Sequence, residues 1–153
     1  MRDIINEFLK QKDVAIAGVS RDKEKWGNML LKELRKRAYK VYPVNPYADE
    51  LEGEKAYPDL KSLPAEVETL IIAVKPDETL KLVQQCPEAG IKWVWMQKGA
   101  LRGSFSQEAY DFCKQNNINC VYGLCPMMFY AKGMHSAHFW LKKVFGKLPR
   151  EFV

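Results

Sequence analysis

The residues able to hold a charged ligand fall at the ends of apolar runs. The longest such stretch is Gly18-Val19-Ser20-Arg21-Asp22-Lys23-Glu24-Lys25-Trp26-Gly27-Asn28. Gly18 permits a tight turn, and Ser20 offers a hydroxyl to a phosphate oxygen. Arg21, Lys23 and Lys25 add positive charge. The amides near Gly27 and Asn28 stand where a helix is expected to begin, the helix end that favours anions. The plain alternative is a strand-to-helix connection with solvated charges. Four shorter stretches occupy equivalent positions: Asn45-Pro46, Lys75-Pro76 after Val74, Gln97-Lys98-Gly99, and Gly123-Leu124-Cys125-Pro126-Met127-Met128.

Groups for covalent or metal chemistry are sparse. Cys125 is the one candidate nucleophile, and a thiolate there would need a helix N-terminus or cationic neighbours. A small buried cysteine ahead of a turn proline is the simpler reading. The cysteines Cys86, Cys113, Cys120 and Cys125 form no Cys-x-x-Cys pair, and His135 and His138 are the only histidines, so zinc ligation is not expected. The sequence holds no separated carboxylate pair and no serine triad that can be defended. It therefore points to binding rather than catalysis.

The elements that must position these loops can be read from periodicity. Residues 2 to about 12 place Ile4, Ile5, Phe8 and Leu9 on one helical face. A first strand is expected at 14–19. A helix from about Gly27 follows, with Leu30, Leu31, Leu34 and Ala38 at helical spacing. The second strand is 40–44. Pro43 lacks an amide proton, so this strand must place it near an end or an irregular position. Residues 47–64 read as loop, with one helical turn at 59–63. Thr69-Leu70-Ile71-Ile72-Ala73-Val74 reads as a strand buried on both faces, followed by a helix to about Glu88. Further strands are expected at 91–96 and 118–122. Ser104-x-x-Gln107 reads as a capping box opening the helix between them. A last helix, about 134–145, carries Met134, Ala137, Leu141, Val144 and Phe145 on one face; Phe139 and Trp140 add apolar surface for which docking on the same domain is the default and cover by a second copy of the chain the alternative. Trp93 and Trp95 share one strand face and are expected to pack under a helix, whereas Trp26 stands in the first loop, able to cover a ligand ring.

Strands alternating with helices imply an α/β fold, a doubly wound, Rossmann-like parallel sheet in three layers. Five strands in the order 3-2-1-4-5 are expected, with ligand beyond their carboxyl ends near the switch between strands 1 and 4. The 153 residues are expected to form a single domain. The chain is 47% hydrophobic and 28% charged, a balance that suits a folded domain and argues against disorder. The formal net charge of +5 suits a phosphate-bearing small ligand and also nucleic acid, but the basic residues are scattered and no nucleic-acid motif is present. No apolar run approaches the roughly 18 residues of a membrane helix, and the charged start is not a signal peptide. With no disulfide framework, a cytoplasmic location is expected.

The first loop departs from a dinucleotide fingerprint, with Ser20 and Lys23 where Gly-x-Gly-x-x-Gly has glycine and the second glycine delayed to Gly27. Asn45-Pro46 stands where nicotinamide-dinucleotide domains usually carry an acid for the ribose. These departures weaken the alternative of an NAD(P)-binding oxidoreductase or epimerase. The ordered set Gly18-Val19-Ser20, Pro43-Val44-Asn45-Pro46, Gly53-Glu54-Lys55-Ala56-Tyr57-Pro58, Trp93-Val94-Trp95-Met96-Gln97-x-Gly99 and Cys125-Pro126-Met127-Met128 resembles the small stand-alone coenzyme A-binding domain family. That family is related to the coenzyme A-binding domain of the succinyl-coenzyme A synthetase alpha subunit. The resemblance implies a Rossmann-like fold and coenzyme A as ligand, without implying a reaction. By position it implies that Gly18, Ser20 and Arg21 meet phosphates, and that Asn45 and Pro46 border the adenine and ribose. Val74, Lys75 and Pro76 would wall the adenine side or pyrophosphate, Gln97 and Gly99 would face the pantetheine arm, and Cys125, Pro126 and Met127 would close the site.

Overall fold

A computed structural model describes residues 1–98 and 103–130. Helix α1 (Arg2–Lys10) leads into strand β1 (Asp13–Ala17), and helix α2 (Trp26–Lys36) into β2 (Lys40–Val44). A small hairpin, β3 (Glu50–Leu51) with β4 (Glu54–Lys55), precedes β5 (Thr69–Ile72). Then follow α3 (Pro76–Val83), α4 (Cys86–Ala89), β6 (Trp93–Met96), α5 (Gln107–Gln115), β7 (Asn119–Val121) and α6 (Met127–Tyr130). Five of the strands form one parallel sheet in the order β2-β1-β5-β6-β7.

The α/β Rossmann-like class is as read from the sequence, but the order of strands differs. Counted along the chain without the hairpin, the strands lie 2-1-3-4-5, because β5 pairs with β1, Ala15 beside Leu70 and Ile16 beside Ile71. The reason is in the backbone of β2. Lys40 donates its amide inward to Lys12, so alternate residues turn outward, and Pro43 is one of them. The outer edge of β2 therefore lacks the Pro43 donor and cannot seat a full strand. It receives only the segment at Tyr57, whose amide donates to Pro43 O while its carbonyl accepts from Asn45 N. All four residues of β5 are buried, as befits a strand with neighbours on both edges and helices on both faces.

The alternation of side chains builds two cores. Val14, Ile16, Val41, Ile71, Trp95 and Val121 face one side, with α1, α2 and α6 packed on them. Ala15, Ala17, Leu70, Ile72, Val94 and Met96 face the other, with α3, α4 and α5. Trp93 and Trp95 share the first face as expected, and Trp95 is fully buried with its indole N–H donating to Leu124 O at 3.0 Å. Its ring meets Phe8 edge-on at 5.2 Å. The helix after Pro76 is broken into α3 and α4 by Pro87 at the start of the second piece. Ser106, not Ser104, caps α5, accepting from Ala109 N at 3.3 Å. Ser104 is buried instead and ties two loops together through its backbone.

Among the described residues no helix is long and apolar enough to cross a membrane. The expected helix at 134–145, with His135, His138 and Trp140, lies outside the described residues, as does Gly99. Phe8 lies ahead of β1 yet is wholly buried against Trp95. Phe8→Ala is therefore expected to lower unfolding stability by about 3–5 kcal/mol, measured by urea denaturation. A loss below 1 kcal/mol would mean that α1 is not part of the core.

Candidate functional site

The carboxyl ends of β1, β2, β5 and β6 surround a cavity of about 910 Å³, toward the upper end of the ~300–1,000 Å³ usual for small-molecule sites. The topological switch beneath it lies between β1 and β5, and not at the next strand along as the expected order placed it.

The β1–α2 loop makes one wall. Gly18 takes φ +114°, and a Cβ there would stand 2.7 Å from Ala73 O, so the chain can turn off β1 beside β5 only without a side chain. Gly27 lies in the first turn of α2, where a Cβ would stand 2.3 Å from Gly18 O. The delayed glycine thus serves close helix-to-strand packing and is itself buried. Asn28 is buried below the loop as well, where it holds Ser20 at both backbone groups, accepting from Ser20 N at 3.0 Å and donating to Ser20 O at 2.7 Å. Its remaining N–H donates to Glu52 Oε1 at 2.9 Å. That hydrogen bond, joined by Lys32 and opposed by desolvation, holds the Glu52 carboxyl below the ordinary carboxylate range.

Gly18, Ser20 and Lys25 line the cavity, and Trp26 joins them, as its place in the loop suggested. Arg21 lies at the exposed surface and donates to Tyr47 O at 2.6 Å, linking this loop to the one after β2. There Asn45 and Pro46 line the cavity. Asn45 donates to Val19 O at 3.0 Å and accepts from Tyr47 N at 2.8 Å. Val74, Lys75 and Pro76 form the wall beyond β5, and Gln97 the wall beyond β6. Cys125, Pro126 and Met127 are not brought to the cavity. Leu124 O is engaged by Lys98 N and Trp95, which turns the following residues inward. Cys125 and Pro126 are buried, and Cys125 and Met127 belong to the core on the α2 side. Helix α6 is described over Met127–Tyr130.

Tyr47, Glu78, Lys81 and Gly103 also line the cavity and were not singled out in the sequence. Glu78 and Lys81 are three apart on α3, hence on one helical face just past Lys75-Pro76, and that spacing was a usable signal. Gly103 arrives through a bridge to Lys98, a contact with no local pattern to announce it.

Among the described residues several surface cations are ion-paired, and those at the cavity are not. Lys32, Arg35, Arg37, Lys61 and Lys92 are ion-paired with Glu52, Glu54, Glu33, Glu88 and Glu68. Lys25, Lys75 and Lys81 make no ion pair among the described residues and meet at the cavity. The first turn of α2 has no acidic residue and no side-chain cap, whereas that of α3 carries Asp77 and Glu78. The α2 end is the one left open to an anion.

Residues 12–131 match the family described as CoA binding domain. The alpha subunit of the ADP-forming acetate–CoA ligase II of Pyrococcus furiosus is 35% identical over 92 residues, which are 60% of this chain and 20% of that protein. The ADP-forming acetate–CoA ligase II of Archaeoglobus fulgidus is 28% identical over 122 residues, 74% of this chain and 18% of that protein. The chain thus spans about a fifth of the length of these ligases. A solved structure, a hypothetical protein from Pyrococcus horikoshii OT3, superposes with a TM-score of 0.75 at 32% identity, covering 82% of this chain and 86% of that one.

Because the Gly27 Cβ position is already occupied by Gly18 O, Gly27→Ala is expected to cost about 1–3 kcal/mol of stability in a denaturant titration. Ala89→Gly, at the C-terminus of short α4, serves as a comparison and should cost less than about 1 kcal/mol.

Proposed function

The chain belongs to the CoA binding domain family, and we propose that its cavity binds coenzyme A as a ligand-binding module. The observation that carries this reading is the set of cations at the cavity, Lys25, Lys75 and Lys81, none of them ion-paired among the described residues, beside an uncapped helix start. Coenzyme A brings three phosphate groups, and charge-assisted donors suit them. Ser20, Lys25 and the first turn of α2 would hold the pyrophosphate region. Lys75 and Lys81 would offer charge across the cavity. Trp26, and Tyr47 with 81% of its surface exposed, supply aromatic faces at the same cavity. The volume of the cavity suits a ligand with a nucleotide and a long arm.

The acetate–CoA ligases named above act on coenzyme A as their names state, and the shared segment supports the same ligand here. Their reaction is not carried over to a chain that spans a fifth of their length. A nicotinamide dinucleotide is the poorer fit: β2 ends in Asn45, whose amide is committed to Val19 and Tyr47, where such domains carry an acid for the ribose. A cytoplasmic location follows from the same reading, since coenzyme A chemistry is the expected context.

Calorimetry should give binding of coenzyme A in preference to NAD, NADP and ATP. Lys25→Ala and Lys75→Ala should each weaken it about tenfold. Lys92→Ala, at the opposite edge of the sheet and paired with Glu68, should leave it unchanged. Absence of heat with coenzyme A at high micromolar concentration would overturn the reading.

A further inference from the structure

We propose that Glu52, at the turn of the β3–β4 hairpin, is a positioning residue that sets the ligand-binding shape of the 18–25 loop by orienting the side chain of Asn28. The proposal rests on the coenzyme A reading for what the loop binds, but its content is how the loop is held.

The argument begins with the two faces of a carboxamide. Asn28 must present its oxygen to Ser20 N and its nitrogen to Ser20 O, at 3.0 and 2.7 Å. Rotated by half a turn, the amide would set donor against donor and acceptor against acceptor at both contacts. Glu52 adds a third contact that holds the same orientation. Its ionised carboxylate accepts only, and it stands 2.9 Å from Asn28 Nδ2. The correct orientation is therefore the one that also satisfies Glu52, and without that acceptor a buried N–H has no partner.

The hairpin is built to deliver this carboxylate. Glu52 and Gly53 form its turn with φ of 54° and 80°, the first an uncommon conformation for a residue with a side chain. The Glu52 side chain is only 8% exposed. Asn28, Lys32 and Arg35 lie at i, i+4 and i+7 on α2, one helical face, and all three reach the hairpin. Lys32 Nζ stands 3.4 Å from Glu52, and Arg35 donates to Glu52 O at 2.7 Å and to Glu54 at 3.1 Å. Two-residue strands have little ladder of their own, so these contacts to α2 help to anchor the hairpin, beside buried Leu51 and the pairing of Tyr57 with the end of β2.

The test uses the full chain with Glu52→Ala, Glu52→Gln, Asn28→Ala and the double variant, and two readouts: amide exchange at Ser20 without ligand, and coenzyme A affinity. Glu52→Ala should speed Ser20 exchange and weaken coenzyme A, each about tenfold. Glu52→Gln keeps an acceptor oxygen and should rescue both to within about twofold. In the Asn28→Ala background Glu52→Ala should add less than about twofold, because its route to the loop is gone. If Asn28→Ala does not fold, Glu52→Lys decides instead: it sets a donor against Nδ2 and should weaken binding at least as much as Glu52→Ala. Unchanged Ser20 exchange in Glu52→Ala, or an equal loss of affinity with and without Asn28, overturns the proposal. Failure of the unmodified chain to bind coenzyme A overturns the reading of the ligand, while the exchange arm still decides the clamp.

Discussion

Helix α2 can begin where it does only because Gly27 has no side chain. Its Cα passes so close to the end of β1 that a Cβ would lie 2.3 Å from Gly18 O, well inside any tolerated contact. The rest of the carboxyl edge depends on that approach. It brings Asn28 beneath Ser20, within reach of both backbone groups of the loop. It places Lys25 and Trp26 at the cavity. Gly18 meets the complementary demand on the other side, turning at φ +114° against Ala73 at the end of β5. Two glycines therefore hold the β1 end between α2 and β5, and the loop between them inherits its shape.

The polar contacts around this loop divide into two kinds with different roles. Asn28, Asn45 and Glu52 spend their hydrogen bonds inside the protein, on Ser20, Val19, Tyr47 and one another. These bonds fix the geometry of the loop. The lysines at the cavity do the reverse, since their ammonium groups have no carboxylate partner among the described residues. Lys32, Arg35, Arg37, Lys61 and Lys92, by contrast, are paired with glutamates away from the cavity. A site that is internally satisfied in its frame and unsatisfied in its charge is prepared for an anion. This is the physical content behind membership of the CoA binding domain family for this chain.

Much of the frame was legible in the sequence because it rests on periodicity. The strand at 40–44, the buried run from Thr69 and the helical face of Leu30, Leu31 and Leu34 all carry patterns that burial enforces. The neighbour of β1 is the expectation that the structure corrects, although its signal is present: Pro43, expected near an end or at an irregular position, marks β2 as the edge. The β3–β4 hairpin was not legible, since it buries only Leu51 and is held by contacts with α2 and with the end of β2, both distant in the chain. At the site, the positions of the loops were legible but two internal contacts were not. Gly27 and Asn28 stand at a helix start as expected, and in addition Gly27 packs against Gly18 O and Asn28 bonds both backbone groups of Ser20. Cys125, Pro126 and Met127 share a sheet edge with the cavity, yet Leu124 is held by Trp95 and Lys98, which directs them into the core.

The most direct test of the central claim is to map where coenzyme A touches the chain, by following backbone amide resonances of the uniformly labelled protein during a titration. The account predicts the largest shifts at Ser20 to Trp26, with a second group at Tyr47 and at Lys75 to Glu78, and little change at Leu124 to Met128. Shifts absent throughout, or concentrated at the amino-terminal edge near Lys92 and Glu68, would contradict it.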